Sequence, residues 1–229
     1  TWLKSGKSLN ASVNATKRNF PASSWKYSGC PSMAGDWEPS NAGDGSGNGS
    51  MTVLNATKNS VNTGYAAIGN QLNMCKIMDT AMDLGIRYGS GEKLDTADSQ
   101  GFIQALSPSS ILGTTETTPI AMAAAFATFA NDGEFCGPRP ITEIKDRNGK
   151  KMDVPGEACK QVLDKQVARG VAYALTQTFN GGTTSGLGIG VPAGAKTGTT
   201  NFEVGHTWLL GFTKTLSTAV WTGDPSGTR

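Results

Sequence analysis

Apolar side chains recur at helical spacing in several stretches of this chain and alternate with polar ones near its end. These two periods predict most of the elements. Leu72, Cys75, Met78, Met82 and Leu84 are spaced to fall on one helix face, and Gly85 supplies the stop. Thr118 before Pro119, a capping hydroxyl followed by proline at the first helical position, opens a second helix that closes at Asn131-Asp132-Gly133. A third takes Asp164 as its cap and ends at Gly181-Gly182. Residues 52–59 are helix-like, and a further helical pattern begins near Gly64. Thr1 to Gly6, with no cap ahead of Trp2, read as the last turns of a helix, so the chain is expected to start inside an element.

Strand signals lie between and after the helices. Residues 140–145, followed by Asn148-Gly149, predict a strand entering a tight hairpin. Residues 194–200, 207–213 and 216–222 are three strand-like runs joined by short turns, the pattern of an antiparallel meander. The Gly, Ser, Asn and Asp content of residues 35–50 predicts a loop too short to mark a domain boundary. A chain of 229 residues with 30 glycines and 17% charged residues suits one loop-rich α+β unit, with no internal repeat.

Charge changes the picture by exclusion. A net charge of +2, without Lys/Arg runs interleaved with aromatics, argues against nucleic acid as a partner. The apolar run at residues 119–130 is shorter than the roughly 20 residues a membrane span needs, so any anchor is expected in sequence outside this chain. The cysteines Cys30, Cys75, Cys136 and Cys159 lack the Cys-x-x-Cys spacing of zinc or redox sites, and no metal or cofactor is implied. Two disulfides and four buried thiols both remain open on cysteine usage alone.

Two short motifs carry candidate chemistry. Lys196-Thr197-Gly198-Thr199-Thr200 lies on the first strand of the meander, where glycine permits close approach of a ligand to the backbone, and a lysine with hydroxyls suits an anionic peptide. Ser60-Val61-Asn62 sits at a junction between two helical patterns, so a hydroxyl and an amide can point together. Each motif alone has an ordinary alternative, an edge strand in one case and capping residues in the other. His206, the only histidine, reads as structural.

Together the motifs resemble the transpeptidase domain of class A penicillin-binding proteins, the bifunctional murein synthases. The resemblance covers Ser60-Val61-Asn62-Thr63, the run from Leu112 to Pro119 leading through Met122 to Gly133, Ala195 to Asn201, and Trp208-Leu209-Leu210-Gly211-Phe212-Thr213. These occur in family order from about Asp36 onward. The cysteines and the Trp221-Thr222-Gly223-Asp224 ending look most like actinobacterial members. Ser-x-x-Lys, a Ser-x-Asn-type motif and Lys-Thr-Gly form the signature of such enzymes, and two of the three are present.

The first motif is the difficulty. Ser23-Ser24-Trp25-Lys26 matches literally but has no helix start, whereas the chemistry needs serine at a helix N-terminus with lysine one turn on. By resemblance, the helix that carries the motif ends in a run like Trp2 to Leu9, so the nucleophile and its lysine are expected just ahead of Thr1. An N-terminal part of the same protein is therefore the expected partner.

The resemblance implies a penicillin-binding, serine β-lactamase-like fold and cross-linking of peptidoglycan through a serine acyl-enzyme that β-lactams trap. Lys196, Thr197 and Thr199 would hold the carboxylate of a D-Ala-D-Ala stem peptide, with the Thr199 amide in the oxyanion hole. Gly198 would let the substrate approach, and Thr200 would be a lesser contact. Ser60 would relay a proton to the leaving D-alanine, and Asn62 would hold the substrate amide. The implied location is the extracytoplasmic face of the membrane. Cys136 and Cys159 bracket the Asn148-Gly149 hairpin, which would join them and leave Cys30 for Cys75. Two alternatives stay open: a wall-peptide binding module lacking the nucleophile, and a hydrolase, either D,D-carboxypeptidase or β-lactamase.

Overall fold

The computed structural model describes residues 1–42, 49–154, 158–200 and 205–224. Leu3–Ser5 form a single 3-10 turn, ended by Gly6 in the left-handed region at φ 78°. The expected helix end is therefore present at Gly6, but as one tight turn. Strand β1 (Ser12–Asn14) pairs antiparallel with β2 (Ser50–Thr52), and β2 runs straight into α1 (Val53–Lys58). The Thr52 hydroxyl caps α1 by accepting the Asn55 N–H. Helix α2 (Asn62–Asn70) starts two residues before the expected Gly64. Gly64 is inside the helix because it packs closely on α1, where a Cβ would lie 3.0 Å from that of Ala56.

Helices α3 (Met74–Asp83), α4 (Pro119–Ala130) and α5 (Lys165–Thr176) are capped by Asn73, Thr118 and Asp164, each accepting a backbone N–H of the first turn. Gln177–Phe179 extend α5 as a 3-10 turn towards Gly181. Three helices end alike. In α1, Val61 N–H donates to Ala56 O and Ser60 N–H to Thr57 O. In α3, Ile86 N–H donates to Ala81 O, and in α4, Gly133 N–H donates to Thr128 O. This termination puts one residue in the left-handed region, usually glycine. The residues here are Gly85 at φ 78°, Ser60 at φ 55° and Asp132 at φ 50°.

Between α4 and α5 the chain makes two small ladders. Strand β3 (Glu134–Phe135) pairs with β6 (Lys160–Gln161), and inside them β4 (Ile144–Lys145) pairs with β5 (Lys151–Met152). The expected strand at residues 140–145 shrinks to Ile144 and Lys145, since Ile141, Thr142 and Glu143 are exposed and offer no face to bury. The outer ladder went unforeseen, and it aligns Phe135 with Lys160, so that Cys136 and Cys159 follow as neighbours with Cα atoms 4.3 Å apart. Both expected disulfides are formed, Cys136–Cys159 and Cys30–Cys75.

The meander follows the expectation closely, as β7 (Gly194–Thr199), β8 (Thr207–Phe212) and β9 (Ser217–Thr222) in that spatial order. Leu210 and Phe212 bury one face of it against Phe126 of α4 and Leu175 of α5. A second core gathers Trp2, Val13, Phe20, Trp25, Val53 and Ile68 around α1 and α2. The two cores bring the α1–α2 junction up to β7. Among the described residues no helix is long and apolar enough to cross a membrane.

Candidate active site

Ser60 occupies the left-handed position between α1 and α2, where a non-glycine residue costs on the order of 1 kcal/mol. The geometry aims its hydroxyl at β7. There the Lys196 ammonium donates to Ser60 Oγ at 2.6 Å and to the carbonyl of Thr197 at 2.7 Å. Burial pushes the Lys196 amine down from its ordinary value to about 8, because the charged form loses water and gains no carboxylate among the described residues. Two motifs separated by more than a hundred residues thus meet in one hydrogen bond.

The edge of β7 is the second component. Thr200 N–H donates to His206 O, and antiparallel alternation then makes Gly198, Lys196 and Gly194 the residues bonded to β8. The peptide groups of Thr197 and Thr199 therefore face the unpaired edge, open to an extended ligand. At Ala195 the same edge is closed, since the Thr178 hydroxyl reaches Ala195 O at 3.1 Å and lies 2.7 Å from the Thr184 hydroxyl. Both threonines are fully buried. Gly194 is required for packing, as a Cβ there would sit 2.5 Å from the Phe212 ring.

The remaining expected residues are placed as follows. Asn62, first in α2, donates its amide to Ser40 O at 2.8 Å, so it faces the loop before residue 43. The Thr200 hydroxyl accepts the His206 N–H at 3.1 Å, next to the ends of β7 and β8. His206 stacks on Trp221, with ring centroids 5.5 Å apart. Ser24 bonds Asn70 at the last residue of α2, and eight residues of helix put that end about 12 Å from Asn62. Ser23 lies in a 3-10 turn rather than at an α-helix start, and Lys26 donates to Gln71 O.

Sequence reasoning missed Asn41, Thr178 and Thr184. Asn41 bonds both the backbone and the hydroxyl of Thr63 in the first turn of α2. The only signal for it was an asparagine in a turn-rich loop, and nothing paired it with α2. An apolar cavity of about 360 Å³ also went unforeseen, lined by Trp2, Leu3, Val53, Ile68, Ile111 and Leu175 among others.

A half-buried lysine bonded to a serine at a helix junction, beside an open strand edge, is the arrangement that the penicillin-binding resemblance of the two motifs implies. The comparisons agree. Residues 8–223 match the family described as the penicillin binding protein transpeptidase domain, and the chain belongs to that family. It is 31% identical over 197 residues to penicillin-binding protein 1A of Aquifex aeolicus, covering 84% of this chain and 24% of that protein. It is 30% identical over 195 residues to penicillin-binding protein 1A of Mycobacterium tuberculosis, covering 80% of this chain and 24% of that one. The actinobacterial likeness is thus present in a mycobacterial relative, beside one from a distant lineage. The chain spans about a quarter of the length of these relatives.

The PonA1 protein of Mycobacterium tuberculosis, solved in complex with penicillin V, superposes with a TM-score of 0.78 at 27% identity, covering all of this chain and 58% of that one. The expected α+β penicillin-binding fold is the one found.

Proposed function

We propose that this chain is the substrate-holding portion of a D,D-transpeptidase that cross-links peptidoglycan stem peptides and is acylated by β-lactams. The observation that carries the reading is the 2.6 Å bond from Lys196 Nζ to Ser60 Oγ beside the open edge at Thr197 and Thr199. Lys196, with the Thr197 and Thr199 hydroxyls, holds the terminal carboxylate of acyl-D-Ala-D-Ala or of a penicillin. The Thr199 N–H completes the oxyanion hole, Gly198 leaves room for the extended substrate, and Asn62 receives the substrate amide. Thr200 supports the turn behind them.

In the acylation step a serine Oγ bonds to the carbonyl carbon of the penultimate D-alanine, and the bond from that carbon to the terminal D-alanine nitrogen breaks. The serine's proton passes to a lysine base, and Ser60 gives its hydroxyl proton to the departing amine while that lysine returns the proton to Ser60. An acceptor amine then attacks the ester and frees the serine. We assign that serine and its lysine to a Ser-x-x-Lys segment of the same protein outside these 229 residues. Supporting this, the 360 Å³ cavity is lined by apolar side chains from α1, α2, α4 and α5, a hollow suited to an apolar helix face. The whole protein then acts outside the cytoplasmic membrane, held by an anchor upstream.

The test is covalent labelling of the full-length protein with fluorescent penicillin, followed by peptide mapping. The label is expected on a serine outside residues 1–229, with none on Ser23 or Ser60. Label on either of those two, or no label at all, overturns the reading. Incubation with a stem peptide and an amine acceptor then separates transfer from hydrolysis by product mass.

A further inference from the structure

Helix α2 begins without a cap of its own. Its N-cap residue is Val61, whose side chain has no acceptor, yet this first turn carries Asn62 and follows directly on Ser60. A helix start leaves its first N–H groups without intrahelical partners, and an uncapped start frays. Here the missing acceptor arrives from elsewhere in the chain. The Asn41 side-chain oxygen accepts the Thr63 N–H at 3.0 Å, the bond a capping residue would make, and the Asn41 amide reaches the Thr63 hydroxyl at 3.0 Å. Thr63 is 1% exposed, so these bonds are shielded from water. The preceding residue adds a second hold, since Ser40 O accepts one N–H of the Asn62 side chain at 2.8 Å. That bond fixes which way the Asn62 amide faces, leaving its oxygen and its other N–H for a ligand.

We propose that Asn41 is a positioning residue, a cap supplied from the loop that holds α2's first turn and so sets the place of Ser60 and Asn62 opposite Lys196. The assignment rests on the transpeptidase reading of the site. Ser60 is anchored on its other side through the α1 termination, in a strained backbone position. Freed from Asn41, the turn unwinds from the Asn62 end, and the Lys196–Ser60 contact loosens without loss of the core. Asn41 touches no reacting atom. Its effect therefore falls on the acylation rate constant more than on the melting temperature.

The experiment uses the full-length protein with fluorescent penicillin and three variants. Asn41→Ala is expected to lower the acylation rate constant at saturating penicillin about tenfold, roughly the loss of one well-placed bond. Asn41→Asp keeps the acceptor for Thr63 N–H and is expected to stay within about threefold of wild type, as a cap exchange should. Asn41→Gln carries the same amide one methylene out of place and is expected to behave like alanine, so it serves if the alanine variant does not fold. Hydrogen exchange read alongside should show the Thr63 amide losing protection in the alanine or glutamine variant and keeping it in the aspartate variant. Unchanged acylation, or unchanged Thr63 protection, in the alanine and glutamine variants overturns the proposal. So does a rate loss shared equally by the aspartate variant. Absence of label on the wild type would overturn the transpeptidase reading instead, while the Thr63 exchange data would still decide whether Asn41 caps α2.

Discussion

The ends of α1 and α4 are built on the same backbone plan, yet one presents its side chain to a lysine on β7 and the other holds two helices together. Each places a non-glycine residue in the left-handed position, Ser60 at φ 55° and Asp132 at φ 50°, where α3 uses Gly85. At α4 the Asp132 carboxylate takes both a 2.8 Å and a 2.7 Å bond from Arg169 on α5. That pair is half exposed, and the Arg169 hydrogen bond holds the Asp132 carboxyl below its usual range. At α1 the Ser60 hydroxyl instead meets a half-buried ammonium, with no carboxylate among the described residues to neutralise it. The same strain is retained at both ends, but the partner of Ser60 is a half-buried lysine and that of Asp132 an exposed arginine. Solvent around the side chain, rather than backbone geometry, separates the two.

The sharpest way to break this comparison is to remove the partner of Ser60. Lys196→Ala should lower penicillin acylation of the full-length protein by on the order of 10²–10³-fold, as loss of a preorganised charge does. A loss under threefold would mean that the bond is only structural. Next comes the residue itself. Ser60→Gly should lower acylation about a hundredfold, by removing the relay. It should also raise stability by about 1 kcal/mol, or roughly 2–4 °C in melting temperature, because glycine relieves the left-handed strain. Ser60→Ala should lose as much activity with no such gain. A Ser60→Gly protein no more stable than the alanine variant would remove the claim of strain.

A smaller effect should follow from pH. The Lys196 amine titrates at about 8 in the folded protein, below its ordinary value near 10.5, so deprotonation comes first in the folded state. Its burial penalty applies in full below pH 8 and is relieved as pH rises towards 10.5, so stability should rise across that window. Penicillin binding should fall across the same window, since the neutral amine no longer attracts a carboxylate. Lys196→Met should abolish both trends, which thermal melts and binding constants at pH 7 to 10 would show.

The smallest effect belongs to α4. Asp132→Gly should leave acylation within about twofold of wild type, because an exposed ion pair is exchanged for relief of strain far from the site. The folded-state carboxyl is held below its unfolded value, so the ion pair contributes above the ordinary carboxylate range and is lost as pH falls through it. On acidification the variant should therefore gain in melting temperature relative to wild type, which loses its ion pair while the variant keeps the relief of strain. A large activity loss in this variant would show that the two helix ends are coupled.

Much of the frame is legible in the residues because it rests on local rules. Caps at Thr118 and Asp164, stops at Gly6 and Gly85, and alternation in the meander each act over a few residues, and the elements follow them. The site was legible only in part. Lys196 and Ser60 could be named from short motifs, but their contact spans most of the chain and depends on two cores being packed. Asn41 capping Thr63 is a bond between a loop and a helix with no shared period, and Val61 at the N-cap gives a negative sign only. Residues 140–145 misled because alternation was present without any surface to bury.

The two disulfides have a consequence for biogenesis. Their loops, residues 30–75 and 136–159, neither overlap nor nest, so the native connectivity joins the first cysteine to the second and the third to the fourth. Among the possible connectivities of four cysteines, this is the one made by pairing thiols in the order in which they are synthesised. Cross-linking in that order needs no later shuffling, and the first bond can close before the strand bearing Lys196 has been made.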